Sequence, residues 1–125
     1  MRSFEELLSR YNRCFYERDL EALRALYVPD GEVPYFDNHA NCDSTTLDAH
    51  LANVANFFRS GNVVPLVSED LRVFVRGEAA CMVAKIRYVD KPAPGVRASF
   101  FLERYEGEWK IRHIHFSEDP NELHP

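Results

Sequence analysis

The run from Trp109 to Ser117 is the feature that most constrains how this chain can fold. Its residue types alternate with a period of two, which is typical of a β-strand whose successive side chains point to opposite faces. The two sets are Trp109, Ile111, His113 and His115 on one face, and Lys110, Arg112, Ile114 and Phe116 on the other. Each set is apolar at one end and polar at the other. This pattern predicts a strand that passes from solvent into a buried region and is covered on both faces at its far end.

Length and charge limit the kinds of protein that this chain could be. Its 125 residues predict a single domain spanning 1–125. The formal net charge of −5 argues against nucleic acid or an anionic membrane as the main partner. No apolar run approaches the roughly 20 residues that cross a bilayer, and acidic residues stand near Met1 where a signal peptide would be apolar. We therefore expect a cytoplasmic protein.

Metal and cofactor motifs are scarce in the sequence. Cys14, Cys42 and Cys81 are widely spaced and odd in number, so they form neither a paired metal motif nor a disulfide framework. His113 and His115 have the spacing of strand-borne metal ligands but lack a neighbouring carboxylate or cysteine in the sequence. We find no glycine-rich phosphate loop and no nucleophile motif. We expect no metal and no cofactor.

Periodicity predicts helices first and long strands afterwards. Helices are expected to begin at Ser3, at Asp19 and near Ser44 or Thr45, and a short strand is expected over Val33–Phe36. Pro34 favours an edge position for that strand because proline cannot donate to a neighbour. Four antiparallel strands follow, over 63–76, 79–89, 97–105 and 108–116. This order predicts an α+β domain with helices on one face of the sheet. Because several strands are apolar on both faces, we expect a partner subunit to cover the other face.

The hairpin around Glu106-Gly107 predicts how the last two strands pair. A two-residue turn there would place Phe100 opposite His113 and Ala98 opposite His115. A β-bulge would shift this register by one residue and exchange the two faces.

The element order and the closing run resemble a known family. The run is Gly107-Glu108-Trp109-Lys110-Ile111-Arg112-His113-Ile114-His115-Phe116-Ser117. Together they resemble the SnoaL-like branch of the nuclear transport factor 2-like superfamily, and within it the association domain of calcium/calmodulin-dependent protein kinase II and its stand-alone bacterial relatives. The resemblance implies a cone-shaped, cystatin-like fold in which a curved antiparallel sheet wraps a long helix around a pocket. It also implies a dimer formed through the convex face of the sheet.

The same resemblance suggests which residues line the pocket. Asp48-Ala49-His50 is similar to the family's helix segment with a cavity-facing histidine, and Ala84-Lys85-Ile86-Arg87 is similar to the strand whose arginine lines the pocket. Two other family arginines are replaced by Phe100 and Phe116, which implies a more apolar pocket.

The leading hypothesis is therefore a homodimer that binds a small acidic, partly aromatic ligand. Arg87 would bind the ligand's carboxylate and His50 a second oxygen. Tyr35, Phe100 and Phe116 would form the walls, and His113 would reach the cavity from the last strand.

Other interpretations remain open at this point. His50 could be a packing residue in an apolar helix stripe, and Arg87 a solvated or interface residue. The chain could be an isomerase, cyclase or dehydratase that uses Asp37 or His50 as general base and a tyrosine such as Tyr16 or Tyr35 as proton or oxyanion donor. It could also be an oligomerisation module whose surface carries the function.

Overall fold

The computed structural model describes residues 3–61 and 65–122. Helix α1 spans Phe4–Glu17. It begins where Ser3 Oγ accepts a hydrogen bond from Glu6 N at 3.0 Å, as the sequence predicts, and it ends at Arg18 in the left-handed conformation. The buried face of α1 consists of Leu7, Leu8, Tyr11 and Cys14.

The segment after α1 differs from the expected pattern at two points. Helix α2 covers only Leu20–Arg24, because Tyr27 already forms a bridge to Ile111. Strand β1 spans Glu32–Phe36 and strand β2 spans Ser44–Thr46. The third helix therefore starts later than expected: α3 spans Leu47–Arg59, with Thr46 as its N-terminal cap.

The remaining strands form the expected antiparallel meander. They are β3 (Leu66–Arg76), β4 (Ala79–Tyr88), β5 (Val96–Tyr105) and β6 (Glu108–Glu118), followed by a 3-10 turn at Pro120–Glu122. The expected start of the first of these at Val63 lies outside the described residues. The sheet is curved and open, with strand order β2-β1-β6-β5-β4-β3.

Strand β1 corrects two expectations about the sheet. It pairs in parallel with β6, through Tyr35 and Ile114, so the sheet is mixed rather than wholly antiparallel. It also has β2 on its other side, so Pro34 does not lie in an edge strand. Proline is tolerated because the β1–β2 pairing is irregular between Glu32 and Tyr35.

A β-bulge in β6 shifts the predicted register. Leu102 pairs with Ile111 as expected, but the next pair is Phe101 with His113, which leaves Arg112 as the extra residue. The predicted pairing of Phe100 with His113 is therefore wrong, because Phe100 lies opposite Ile114. The observed register is the alternative to the regular hairpin, in which a β-bulge shifts the pairing by one residue.

The bulge sorts the mixed strand into one apolar face and one polar face. Trp109, Ile111 and Ile114 are buried in the core, and Phe116 packs against it. His113 and His115 lie on the opposite, convex face together with the extra residue. A single inserted residue thus explains the mixed residue pattern of the strand. The pattern does not by itself require that both faces of the strand be covered.

Arg112 is held at the bulge by several partners. Its Nη1 and Nη2 each lie 2.8 Å from a carboxylate oxygen of Asp30, and its Nε lies 2.7 Å from Glu103 Oε1. Nη1 also donates to the backbone oxygen of Glu32 at 2.7 Å. Before the bulge, the outer edge of β6 pairs with residues 26–28, and after it with β1. Arg112 therefore bridges the point where the neighbour of β6 changes.

No helix among residues 3–61 and 65–122 is long and apolar enough to cross a membrane.

Candidate functional site

A cavity lies between α1, α3 and the concave face of the sheet. Its volume is about 180 Å³. A cavity of roughly 150 Å³ holds one benzene ring, so this one has room for a single substituted ring. Its wall contains a group of aromatic side chains, contributed by Tyr11, Phe15, Tyr35, Phe57, Tyr88 and Phe116.

Helical spacing brings the wall residues of α1 and α3 together. Tyr11 and Phe15 are four residues apart on α1, and His50 and Val54 are four apart on α3, so each pair lies on one helix face. The β6 bulge places Phe116 on the concave face. The Tyr35 and Phe116 rings meet edge to face with centroids 5.7 Å apart, which joins β1 to β6 at the wall.

His50 is buried with one ring nitrogen unpaired. Its side chain is 2% exposed, and its Nε2 lies 3.0 Å from the Tyr27 hydroxyl. The Tyr35 ring packs on the imidazole with centroids 4.0 Å apart. Burial lowers the pKa of His50 to about 4, while Asp37 acts in the opposite direction. The imidazole is therefore neutral at pH 7, and its Nδ1 has no hydrogen-bond partner among the described residues.

Tyr11 presents a second unpaired polar atom. The residue is 1% exposed, and its hydroxyl makes no hydrogen bond of normal geometry within residues 3–61 and 65–122, although Tyr27 is a neighbour. Burial, followed by the negative charge that Tyr27, Tyr35 and Asp37 can carry, raises the pKa of this hydroxyl, so it stays protonated. A buried polar atom without a partner costs about 1–3 kcal/mol. Two such atoms in one cavity mark positions where a ligand or water can bind.

Asp37 lies at the edge of the cavity with its oxygens engaged. Tyr35 Oη donates to Asp37 Oδ1 at 2.7 Å. Asp37 Oδ2 accepts from the backbone nitrogen of His39 at 3.0 Å and lies 2.8 Å from His39 Nδ1. Burial and the adjacent Asp37 raise the pKa of Tyr35. Asp37 therefore fixes the orientation of Tyr35 and His39, and its side chain is only 12% exposed.

Arg87 belongs to the cavity wall, but its guanidinium lies elsewhere. Its side chain follows the parity of Lys85 on β4, whereas the buried residues Ala84 and Ile86 face the core. Arg87 Nη1 and Nη2 each lie 2.8 Å from an oxygen of Glu122, and Nε lies 2.8 Å from Glu69 Oε1. All three guanidinium nitrogens are thus engaged within the chain, and the guanidinium expected in the cavity is part of an ion-pair cluster.

The other predicted wall residues divide into two groups. Tyr35 and Phe116 line the cavity. Phe100 is fully buried behind the wall, with its ring centroid 5.4 Å from Tyr11 and 6.1 Å from Phe116. His113 is on the convex face, where its Nδ1 lies 2.6 Å from the backbone oxygen of Pro34. Its predicted approach to the cavity depended on the pairing with Phe100 that the bulge removes.

Sequence reasoning missed several of the cavity residues. Tyr11 and Phe15 belong to the apolar stripe of α1, and nothing in that periodicity separates a cavity wall from ordinary core. Tyr88 lies near a predicted strand end, and His39 in a polar loop. Within the described residues, no group of three or more His, Cys, Asp or Glu side chains could hold a metal ion.

The fold and the cavity define the class of protein. It is an α+β domain in which an open, curved sheet packs against helices, with a cavity at its concave face. The sequence profile of the SnoaL-like domain family matches residues 5–120. The chain therefore belongs to the SnoaL-like domain family. A search of curated protein sequences gave no match.

Solved structures support the same fold. A proposed calcium/calmodulin-dependent protein kinase type II association domain from Thiobacillus denitrificans is 16% identical, with 94% of this chain and 95% of that chain covered and a TM-score of 0.81. A nuclear transport factor 2-like protein of unknown function from Pseudomonas putida is 20% identical, with 95% and 88% covered and a TM-score of 0.74. A protein with a cystatin-like fold from Caulobacter vibrioides is 15% identical, with 94% and 88% covered and a TM-score of 0.76. At these identities the likeness establishes the fold alone.

Replacing His50 by Gln tests the neutral buried imidazole. In the unfolded chain the imidazole gains a proton below pH 6.5, whereas in the folded protein it stays neutral until about pH 4. Its contribution to stability is therefore complete above pH 6.5 and is lost as the pH falls to about 4. We expect urea unfolding to show that wild type loses about 3 kcal/mol more than His50→Gln between pH 7 and pH 4. His115→Gln, at an exposed residue outside the cavity wall, is the control. Equal losses in wild type and His50→Gln would contradict the assignment.

Proposed function

We propose that this protein binds a small, neutral, single-ring compound that carries a hydroxyl or carbonyl group. The observation that carries this proposal is the pair of buried, unpaired polar atoms, His50 Nδ1 and Tyr11 Oη, in one aromatic cavity. Few buried polar atoms in folded proteins lack a partner, so each of the two is a position at which a polar group of a ligand can bind.

The shape and composition of the cavity favour a flat ring. Its volume of about 180 Å³ suits one six-membered ring with substituents rather than a fused ring system. Aromatic rings prefer offset or edge-to-face contacts at centroid distances of roughly 4.5–7 Å. The wall already shows centroid distances in this range, 6.4 Å between Phe15 and Phe57 and 5.7 Å between Tyr35 and Phe116.

The charges around the cavity favour a neutral ligand over the acidic one that the sequence suggests. Within the described part of the chain, Arg87 is the only lysine or arginine of the wall, and its guanidinium binds Glu122 and Glu69. His50 is neutral at pH 7, and the Asp37 carboxylate would repel an anion. A ligand carboxylate would therefore be desolvated without a cation to compensate it.

Binding of single-ring probes by Tyr11→Phe tests the proposal. Titrations followed by NMR should show that phenol and benzaldehyde bind wild type more tightly than benzoate does. Tyr11→Phe should weaken phenol and benzaldehyde by up to about tenfold, because one hydrogen bond is worth about 1 kcal/mol, and leave toluene unchanged.

Tyr16→Phe on the same helix is the matched control, since Tyr16 is 58% exposed and outside the cavity. Benzoate as the tightest probe, or equal affinities of Tyr11→Phe and wild type for phenol, would contradict the neutral-ligand proposal.

Proton transfer is a second candidate function, favoured by the presence of Asp37 and Tyr11 in the same cavity. Asp37 would take a proton from the carbon beside a ligand carbonyl, and the Tyr11 hydroxyl would stabilise the oxygen that gains charge. The same probe experiments test this candidate when cyclohexanone is added in D₂O. Deuterium incorporation above the buffer rate that is lost in Asp37→Asn would support catalysis, whereas exchange at the buffer rate would restrict the function to binding.

The proposal includes a homodimer formed through the convex face of the sheet. Strand register aligns Phe74, Cys81, Phe101 and His113 in one row across β3 to β6. Phe36 extends the row, with its ring centroid 5.1 Å from that of His113. Phe74 is 53% exposed and Phe101 is 40% exposed. A continuous apolar row of this kind is typical of an interaction surface, and a two-fold axis would place it against its own copy. The description of a similar structure as an association domain supports this choice of partner.

Phe101→Glu tests the dimer. A charge at the centre of the row should convert a dimer of wild type into a monomer, because the carboxylate would be desolvated at the interface. Light scattering after size-exclusion chromatography gives the masses. Val89→Glu, which replaces an exposed apolar residue outside the row, should remain dimeric. A monomeric wild type, or a dimeric Phe101→Glu, would contradict this interface.

A further inference from the structure

A compact cluster of hydrogen-bond donors lies on the convex side of β4 and surrounds the carboxylate of Glu122. Oε1 of Glu122 accepts from Arg87 Nη1 at 2.8 Å and from the backbone nitrogen of Gly95 at 2.7 Å. Oε2 accepts from Arg87 Nη2 at 2.8 Å and from Lys85 Nζ at 3.1 Å. Two donors thus bind each oxygen, in the forked geometry by which arginine recognises carboxylates.

Residues other than Glu122 hold these donors in place. Arg87 Nε is bound by Glu69 at 2.8 Å, and Arg87 Nη1 donates to the backbone oxygen of Pro92 at 2.6 Å. Lys85 Nζ donates to Asp119 Oδ2 at 2.8 Å. The donors would therefore stay aimed at the same point if the Glu122 carboxylate left it.

Gly95 is required for the close approach of its backbone nitrogen. A Cβ atom at this position would lie 2.9 Å from Arg87 Nη1 and 2.9 Å from Lys85 Cδ. Any larger residue would force the two cationic side chains away from the peptide nitrogen. The site is thus built from a backbone donor and two side chains in direct contact.

Glu122, whose carboxylate lies among these donors, belongs to a short turn near the end of the described residues. Glu122 closes the 3-10 turn Pro120–Glu122, in which no residue is buried. Its pKa is held well below the ordinary value, first by Arg87, then by the Gly95 nitrogen and Lys85, so the carboxylate is ionised in the site. Since no residue of the turn is buried, its attachment to the sheet rests on polar contacts such as those of Glu122.

We propose that Lys85, Arg87 and the Gly95 nitrogen form a carboxylate-binding site that Glu122 occupies within the chain, and that a free carboxylate binds there when the C-terminal turn is displaced. The ligand class is a monocarboxylate. Without Glu122, the charges of Lys85 and Arg87 are balanced by Asp119 and Glu69. The empty site would therefore have planar donor geometry but no excess positive charge for a phosphate dianion.

The site also shares its strands with the cavity. Ile86 and Tyr88, which flank Arg87, and Val96, which follows Gly95, line the cavity wall. The carboxylate site and the proposed ring-binding site therefore lie on opposite sides of the same part of the sheet.

Glu122→Ala in the full chain, with acetate as probe, tests the inference. We expect acetate to shift the Gly95 amide resonance of this variant and to raise its melting temperature, while sodium chloride at equal ionic strength does neither. Wild type should respond at least about tenfold more weakly, because acetate must displace a tethered carboxylate whose effective concentration is in the millimolar range. Inorganic phosphate should bind Glu122→Ala more weakly than acetate does.

Three further variants make the result specific. Glu122→Gln should bind acetate as Glu122→Ala does, because the amide would place its NH2 group against two of the donors and could not occupy the site. Glu118→Ala, which removes a neighbouring acidic side chain, should behave as wild type. The double variant Arg87→Gln/Glu122→Ala should lose the response. An equal response to acetate and chloride in Glu122→Ala, or an undiminished response in the double variant, would overturn the proposal. Neither result would bear on ring binding in the cavity, which the Tyr11→Phe titration measures separately.

Discussion

The extra residue at Arg112 in β6 is the constraint on which the rest of the structure depends. Side chains alternate along a strand, so one inserted residue exchanges the faces of everything that follows it. The guanidinium of Arg112 occupies the place where residues 26–28 give way to β1 as the neighbour of β6, and it binds Asp30, Glu103 and the backbone of Glu32 there. These contacts favour a bulge at Arg112, because a bulge at another residue would separate the guanidinium from these partners.

Both candidate surfaces of the protein follow from that one residue. Beyond the bulge, Ile114 and Phe116 turn to the concave side, where Phe116 closes the cavity against Tyr35. His113 and His115 turn to the convex side, where they pack with Phe36 in the apolar row. The same shift explains why the closing strand shows mixed character at both ends. The proposed ligand-binding cavity and the proposed dimer surface would thus lie on opposite faces of the sheet.

Much of the fold could be predicted from the sequence, because helix caps, periodicity and the Glu106-Gly107 turn are local signals. The prediction of the SnoaL-like family is also confirmed. His50, Tyr35 and Phe116 line the cavity, and their part in ligand binding stays a prediction. The bulge could only be anticipated as an alternative, since the insertion is fixed by residues far along the chain. Arg87 was expected to bind a ligand carboxylate, and its geometry is that of a carboxylate receptor. Its partner is Glu122, 35 residues away, which no local pattern could indicate.

The register of β5 and β6 is the most direct test of the account. Interstrand nuclear Overhauser effects between backbone protons report which residues lie directly opposite each other. A bulge at Arg112 predicts contacts that join Phe101 to His113 and Phe100 to Ile114, together with Leu102 to Ile111 on the other side of the bulge. Contacts that join Phe100 to His113 and Ala98 to His115 would show a regular hairpin without the bulge. That result would contradict the assignment of Phe116 to the cavity and of the two histidines to the convex face.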